Sequence, residues 1–148
     1  MVDTATLKAA ARSGGLSMLA VAAVQLAIWL VGSMARVASW ASSAALIAVL
    51  GSTPGARPRA IFGGHIVSAL VGIGAVLASG EAAWMVAASV GIAIGLMVLL
   101  DMFHPPAAAN AAIPFLGLPS LPDYFVSVLL GGVLLALFSY LLNRGSGR

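Results

Sequence analysis

The sequence has no cysteine and only two histidines and four carboxylates among 148 residues. That removes disulfide frameworks and thiolate metal sites and leaves little material for a histidine–carboxylate metal centre. Neither a cofactor nor a metal is expected. Charge is scarce as well: 7% of the residues are Asp, Glu, Lys or Arg, less than a third of the roughly 25% typical of soluble domains, so a soluble globular fold is excluded. No catalytic triad or metal-ligand spacing can be recognised in so few polar groups, and the chain is not expected to be an enzyme. The basic residues Lys8, Arg12, Arg36, Arg57, Arg59, Arg144 and Arg148 form no block. They carry topology information and give no nucleic-acid footprint. What fills the chain is apolar, 61% of it in the hydrophobic set, and a bilayer-spanning helix takes about 20 such residues. A single transmembrane domain over residues 1–148 is expected, with 1–13 a cytoplasmic N-terminal segment and 143–148 a C-terminal tail.

The pattern along the chain predicts an all-α polytopic membrane protein with four long transmembrane helices and two short or half helices. A first apolar run follows Arg12 and continues to about residue 35, too long and too internally polar, with Gln25, for a cleaved signal peptide. The next, 40–50, makes only about 16 Å of helix, roughly half the hydrocarbon thickness. Glycine, serine, threonine, two prolines and two arginines then bring the chain to an interface at 51–59. The run 61–79 is long again, with a small-residue face, and 83–102 follows the tight turn at Gly80 and Glu81. Pro105 and Pro106 forbid simple continuation. Residues 107–118 form a second short piece, about 18 Å if α-helical. Asp123 is expected to cap a final span over 124–142.

If both short pieces cross the bilayer, Lys8, Arg12, Arg57, Arg59, Arg144 and Arg148 share one side and Arg36 stands alone on the other. If both are re-entrant, the split is four to three. The positive-inside rule favours six crossings with both termini cytoplasmic. The order long, short, long then occurs twice from opposite sides, the pattern of an inverted three-plus-three repeat, and a shift of 67 positions lays Ala41-Ser42-Ser43 over Ala108-Ala109-Asn110. Such repeats bring broken helices together at the midplane, where their N-termini suit an anion.

Pro58-Arg59, Gly63-Gly64-His65 and His104-Pro105-Pro106 with Asn110 four residues beyond the second proline resemble, in that order, the motifs of the HPP family of integral membrane proteins. The resemblance covers most of the chain. It departs from the family at Ala108, where a glycine is expected, at Ala111, where a proline usually follows the asparagine, and at Ala41-Ser42-Ser43, where Gly-Ala-Ser is common. Plastid and cyanobacterial members are implicated in nitrite transport, so the resemblance implies a small inorganic anion as substrate.

The residues expected to bind it are Ser42, Ser43, His104, Pro105, Pro106 and Asn110, with His65, Arg57 and Arg59 in secondary roles. Each also has a plainer reading. His104 could simply hydrogen-bond an exposed carbonyl at the break, and His65 could pack against Gly63 and Gly64. Asn110 and Ser43 could satisfy freed backbone groups at the short-helix starts. Arg57 and Arg59 could be interfacial anchors, Asp101 could pair with one of them, and Trp29, Trp40 and Trp84 read as interface or packing residues. Gln25 is interhelical glue or pore lining. The expected function is a membrane transporter or channel for a small monovalent anion, nitrite foremost, in a bacterial inner membrane; the alternative is a non-transporting scaffold or sensor subunit. Glycine-rich faces, including Gly63, Gly64, Gly72, Gly74, Gly91, Gly95, Gly131 and Gly132, predict a homo-oligomer.

Overall fold

The computed structural model describes residues 3–30, 39–118 and 120–145, and the side chains of Gln25, Ile28 and Trp29 also lie outside the described set. Among the described residues there are five α-helices: α1 (Thr4–Leu30), α2 (Ser39–Leu50), α3 (Pro58–Ser79), α4 (Ala83–Leu99) and α5 (Leu121–Gly145). Between α4 and α5 the chain winds as 3-10 helix over Pro105–Ala111 and Ile113–Leu116. Among the described residues every regular element is helical. Among those residues three helices are long and apolar enough to cross a membrane, Thr4–Val24 within α1, Pro58–Ser79 and Leu121–Arg144.

Three expected boundaries move, each for a local reason. α1 starts well before Arg12, because the Asp3 carboxylate accepts the Thr6 N–H at 2.6 Å and so caps the first turn; this bond and that of the Thr6 hydroxyl hold the Asp3 carboxyl below its usual range. α4 stops after 17 residues instead of running to 102. There Asp101 takes a left-handed conformation, φ 53°, and the Met102 N–H returns to the Met97 carbonyl at 2.8 Å while Asp101 N–H reaches Val98, the Schellman closure of a helix end. α5 is capped by Ser120, whose hydroxyl accepts the Asp123 N–H at 3.2 Å; Asp123 lies in the first turn and is not the cap. Arg36 and the rest of 31–38 lie outside the described residues.

The helices run end to end. Ser139 on α5 donates to the Ala56 carbonyl, and Arg12 and Ser13 of α1 share a recess with Gly51, Ser52 and Asn143, so the start of α1, the loop 51–57 and the end of α5 gather at one end of the bundle. At the other end Gly117 lies near Glu81. The 3-10 segment therefore travels beside α3 in the same direction, Ala108 meeting Ser68 and Ala111 meeting Gly72. With a rise of about 2.0 Å per residue it covers about 24 Å, where an α-helix of the same length would cover about 18 Å.

α3 is the centre, touching α4, α5 and the 3-10 segment. Packing around it is close: Ala44, Ile47, Ile61, Ala69, Val128 and Leu135 are buried together. Leu19, Leu30, Leu77, Trp84, Leu99, Val133 and Leu141 point outward, as a lipid-facing surface requires. Glycines on α3 and α5 serve this interior. A Cβ on Gly72 would lie 2.6 Å from the Ala111 carbonyl oxygen, and one on Gly131 2.3 Å from the Trp40 ring. Part of the small-residue face read from the sequence is thus spent inside the bundle, whereas Gly74, Gly91 and Gly95 meet nothing within 4 Å.

Candidate functional site

α2 and α3 meet at the loop 51–57, so residues equally far from it face each other. Ser43 lies seven residues before Leu50 and His65 seven after Pro58, each about 10 Å along its helix. Their side chains are hydrogen-bonded, Ser43 Oγ to His65 Nε2 at 3.0 Å. The connection after α4 brings His104 onto the same hydroxyl, Nε2 at 2.9 Å. The 3-10 segment adds Asn110, whose Nδ2 reaches His65 Nδ1 at 2.8 Å and whose Oδ1 accepts from Ser39 at 2.7 Å. The result is a continuous chain: Gly55 carbonyl, His104, Ser43, His65, Asn110, Ser39. All five of these side chains belong to residues that are at most 1% exposed.

With the Asn110 amide nitrogen towards His65 and its oxygen towards Ser39, the partners set one consistent placement of the protons. A carbonyl only accepts, so His104 Nδ1, 2.7 Å from the Gly55 oxygen, carries a hydrogen and its Nε2 is the acceptor. Ser43 donates to that nitrogen and accepts from His65 Nε2–H, which leaves His65 Nδ1 to accept from the Asn110 amide. In this placement both rings are neutral, and one direction of donation runs from Ser39 and Asn110 towards Gly55. Burial pushes His104, just ahead of the 3-10 segment, below the ordinary imidazole pKa, and its bond to Gly55 acts the other way. All four imidazole nitrogens are engaged, which leaves none for a metal.

Irregular backbone at this depth needs donors from its neighbours. Three helices supply them: Ser68 of α3 donates to Ala108 at 3.3 Å, Ser89 of α4 to Ala111 at 3.1 Å and Tyr124 of α5 to Asn110 at 2.7 Å, each to a carbonyl oxygen. Trp40, 1% exposed, lies over His65 with ring centroids 4.7 Å apart. Its indole N–H is buried with no acceptor among the described residues.

The HPP transmembrane-region model matches residues 2–148. The chain belongs to the HPP family. A similar protein is a transmembrane protein of Dictyostelium discoideum, 30% identical over 116 residues, covering 73% of this chain and 41% of the relative. The chain thus spans about two-fifths of that relative's length. No solved structure matches it.

In this HPP chain the structure brings together four of the residues singled out in the sequence: Ser43, His65, His104 and Asn110. Ser42 is apart from them, exposed, with its hydroxyl turned back to the Ser39 carbonyl at 3.1 Å. Pro105 and Pro106 open the 3-10 turn, where a missing N–H costs nothing. Arg57 and Arg59 are exposed beside a recess of about 210 Å³ that also touches Gly55 and Asp101. Arg59 donates to the Leu100 carbonyl at 3.0 Å and so binds the α4 terminus next to Asp101, the residue read as a possible partner of one of the two arginines. Ser39, Trp40, Ser68, Ser89 and Tyr124 were not anticipated as members of the site. Ser39 and Ser43 share a helix face by their spacing of four, a signal present in the sequence. The others depend on which helices flank the 3-10 segment.

Proposed function

We propose that this protein is a transporter or channel for a small monovalent anion, with nitrite the substrate implied by the family resemblance. The observation that carries this reading is the meeting of the two short elements on one buried polar chain whose outer end, at Gly55, adjoins the recess lined by Arg57 and Arg59. Two arginines concentrate anions at such a mouth. Beyond it the Ser39 and Ser43 hydroxyls and the Asn110 amide replace part of an anion's hydration shell as they turn from one another towards it, and the Trp40 N–H is an unspent donor in the same place. No fixed positive charge stands there to hold the anion too tightly.

In this reading the chain makes six crossings in an inverted three-plus-three order, α4 counting as the fourth long span. Both termini face the cytoplasm of a bacterial cell, and protomers associate through their outward glycines, Gly91 and Gly95 among them. Ser43 and His104 have the reach of a nucleophile and its base. Ser43 is fully buried and also accepts from His65, so the pair is read as part of a conduction path, not as an enzyme. Nitrite uptake into proteoliposomes tests the function; uptake no faster than into protein-free vesicles refutes it. The second reading, a non-transporting scaffold, draws on the same chain: its hydrogen bonds are already satisfied internally, as in a structural core.

A further inference from the structure

The hydrogen-bond directions leave one position at which the buried chain can change. His104 Nδ1–H is pinned by the Gly55 carbonyl at 2.7 Å, and Ser43 is held between the two Nε2 atoms. His65 Nδ1 faces only an amide, 2.8 Å away, and an amide has a donor end and an acceptor end. If Asn110 turns over, its Oδ1 faces His65 Nδ1, its NH₂ faces the Ser39 oxygen, and the long 3.5 Å bond from Nδ2 to the His65 carbonyl is given up. The ring nitrogen then needs a hydrogen, and one added proton supplies it. His65 becomes an imidazolium donating from both nitrogens, and nothing between Ser43 and Gly55 has to move. The Trp40 ring, with its centroid 4.7 Å from that of His65, lies within the roughly 6 Å over which an aromatic face attracts a cation.

We propose that His65, Ser43 and His104 form a one-proton binding and relay site, with the proton held on His65 beneath Trp40 and its uptake coupled to reversal of the Asn110 amide. Relay from His65 to His104 is balanced. The His65 Nε2–H bond breaks as Ser43 Oγ gains that hydrogen, and the original Ser43 hydrogen passes to His104 Nε2. The positive charge moves one ring closer to the recess while the number of protons stays constant. Two protons do not fit, because the ring centroids are 5.2 Å apart and two imidazolium rings would repel. The groups facing the pair are Ser43 and Trp40 of α2, Gly64 of α3, Asn110 of the 3-10 segment and Gly132 of α5. Tyr124 is the titratable group on the Asn110 carbonyl, and Arg57, Arg59 and Asp101 flank the Gly55 end. No carboxylate touches either ring among the described contacts, so the counter-charge for the proton comes from outside the chain. An anion in the site supplies it, which makes the transport of the preceding subsection proton-coupled and rests on that reading.

With only two histidines in the sequence, ¹⁵N-histidine NMR of the unaltered protein in liposomes reads the site directly. At neutral pH the expected result is two neutral rings, His104 carrying its hydrogen on Nδ1 and His65 on Nε2. On acidification below the ordinary imidazole range, for as long as the protein stays folded, one ring converts to imidazolium and the other stays neutral. In a Trp29→Phe, Trp84→Phe background the emission of the remaining tryptophan, Trp40, falls with the same midpoint. Both rings protonating together, neither protonating while the protein stays folded, or emission that does not follow the titration overturns the proposal. Ser43→Ala is expected to keep the His65 titration and to lose proton movement across the vesicle membrane; unchanged proton movement in a folded Ser43→Ala protein also overturns it. A normal titration without nitrite flux leaves the proton site standing and removes the anion reading. Nitrite flux without the titration does the reverse.

Discussion

α2 and the segment from Pro105 to Leu116 are equally short, yet they solve the same problem with different backbones. α2 is a regular α-helix whose carbonyls are bonded within it, and it contributes side chains to the site: Ser39, Trp40 and Ser43. The other segment begins with two prolines and winds as 3-10 helix. It covers about 6 Å more for the same number of residues, but its carbonyls need outside donors, and Ser68, Ser89 and Tyr124 provide them from three helices. One element is stable as a helix and lends its face. The other is held in shape by everything around it. A polar chain strung between the two therefore has one rigid bank and one bank that moves only if its neighbours do.

Close approach is the most sensitive point of the second bank. Gly72→Leu would drive a side chain into the Ala111 backbone, 2.6 Å from the ideal Cβ, where neither side can yield cheaply. A loss of about 3 kcal/mol or more is expected, seen as failure to purify as a monodisperse folded protein. Gly131→Ala on the α2 side meets a ring, not backbone, and should cost less. Equal losses would break the contrast.

Next comes Asn110→Leu, which strips partners from His65 and Ser39 and leaves two buried polar groups unpaired. A cost of about 2–4 kcal/mol is expected together with loss of nitrite flux. Flux equal to the parent's would place the anion site elsewhere. Ser68→Ala, Ser89→Ala and Tyr124→Phe each remove one donor to a 3-10 carbonyl and should lower unfolding free energy by about 0.6–1.7 kcal/mol apiece, measured by denaturation in mixed micelles.

How much of this was legible in the sequence follows from the same contrast. Spans appear as apolar length and breaks as proline and glycine, so the order of elements and the half-length of α2 could be read directly. The motif histidines, Ser43 and Asn110 stood out because polar side chains are rare in so apolar a chain. The 3-10 winding could not be read, because apolar composition does not distinguish 3.0 from 3.6 residues per turn; the second short piece was expected as an α-helix over 107–118. Nor could Ser68, Ser89 and Tyr124 be assigned as donors, since a lone hydroxyl in a span usually bonds within its own helix, as Ser79 does to Ala75. Of the two readings of Trp40, interface or packing, the structure decides for packing: the ring is 1% exposed and Gly131 leaves room for it in the core.

Acidity provides a smaller effect. His104 has its pKa pushed down by burial, so the unfolded chain takes up a proton before the folded one does. Stability is therefore fully present above about pH 6.5 and declines as pH falls below it. A melting temperature that stayed flat or rose on acidification from about pH 7 to about pH 5, where the unfolded imidazole titrates, would contradict the buried placement of His104. His104→Gln should lessen both this decline and the pH dependence of flux.

The smallest effect belongs to Ser42, beside Ser43 in sequence but not in the chain of hydrogen bonds. Its residue is exposed and its hydroxyl bonds the Ser39 carbonyl of its own helix at 3.1 Å, a carbonyl that the α-helical backbone already serves. Ser42→Ala removes a redundant bond and introduces a better helix former. Unfolding free energy should change by no more than about 0.5 kcal/mol, and nitrite flux should match the parent's. Ser43→Ala, one residue along, takes the hydroxyl that both histidines share. If the two alanine variants behave alike, α2 does not present a single working face, and its role as the rigid side of the site fails with it.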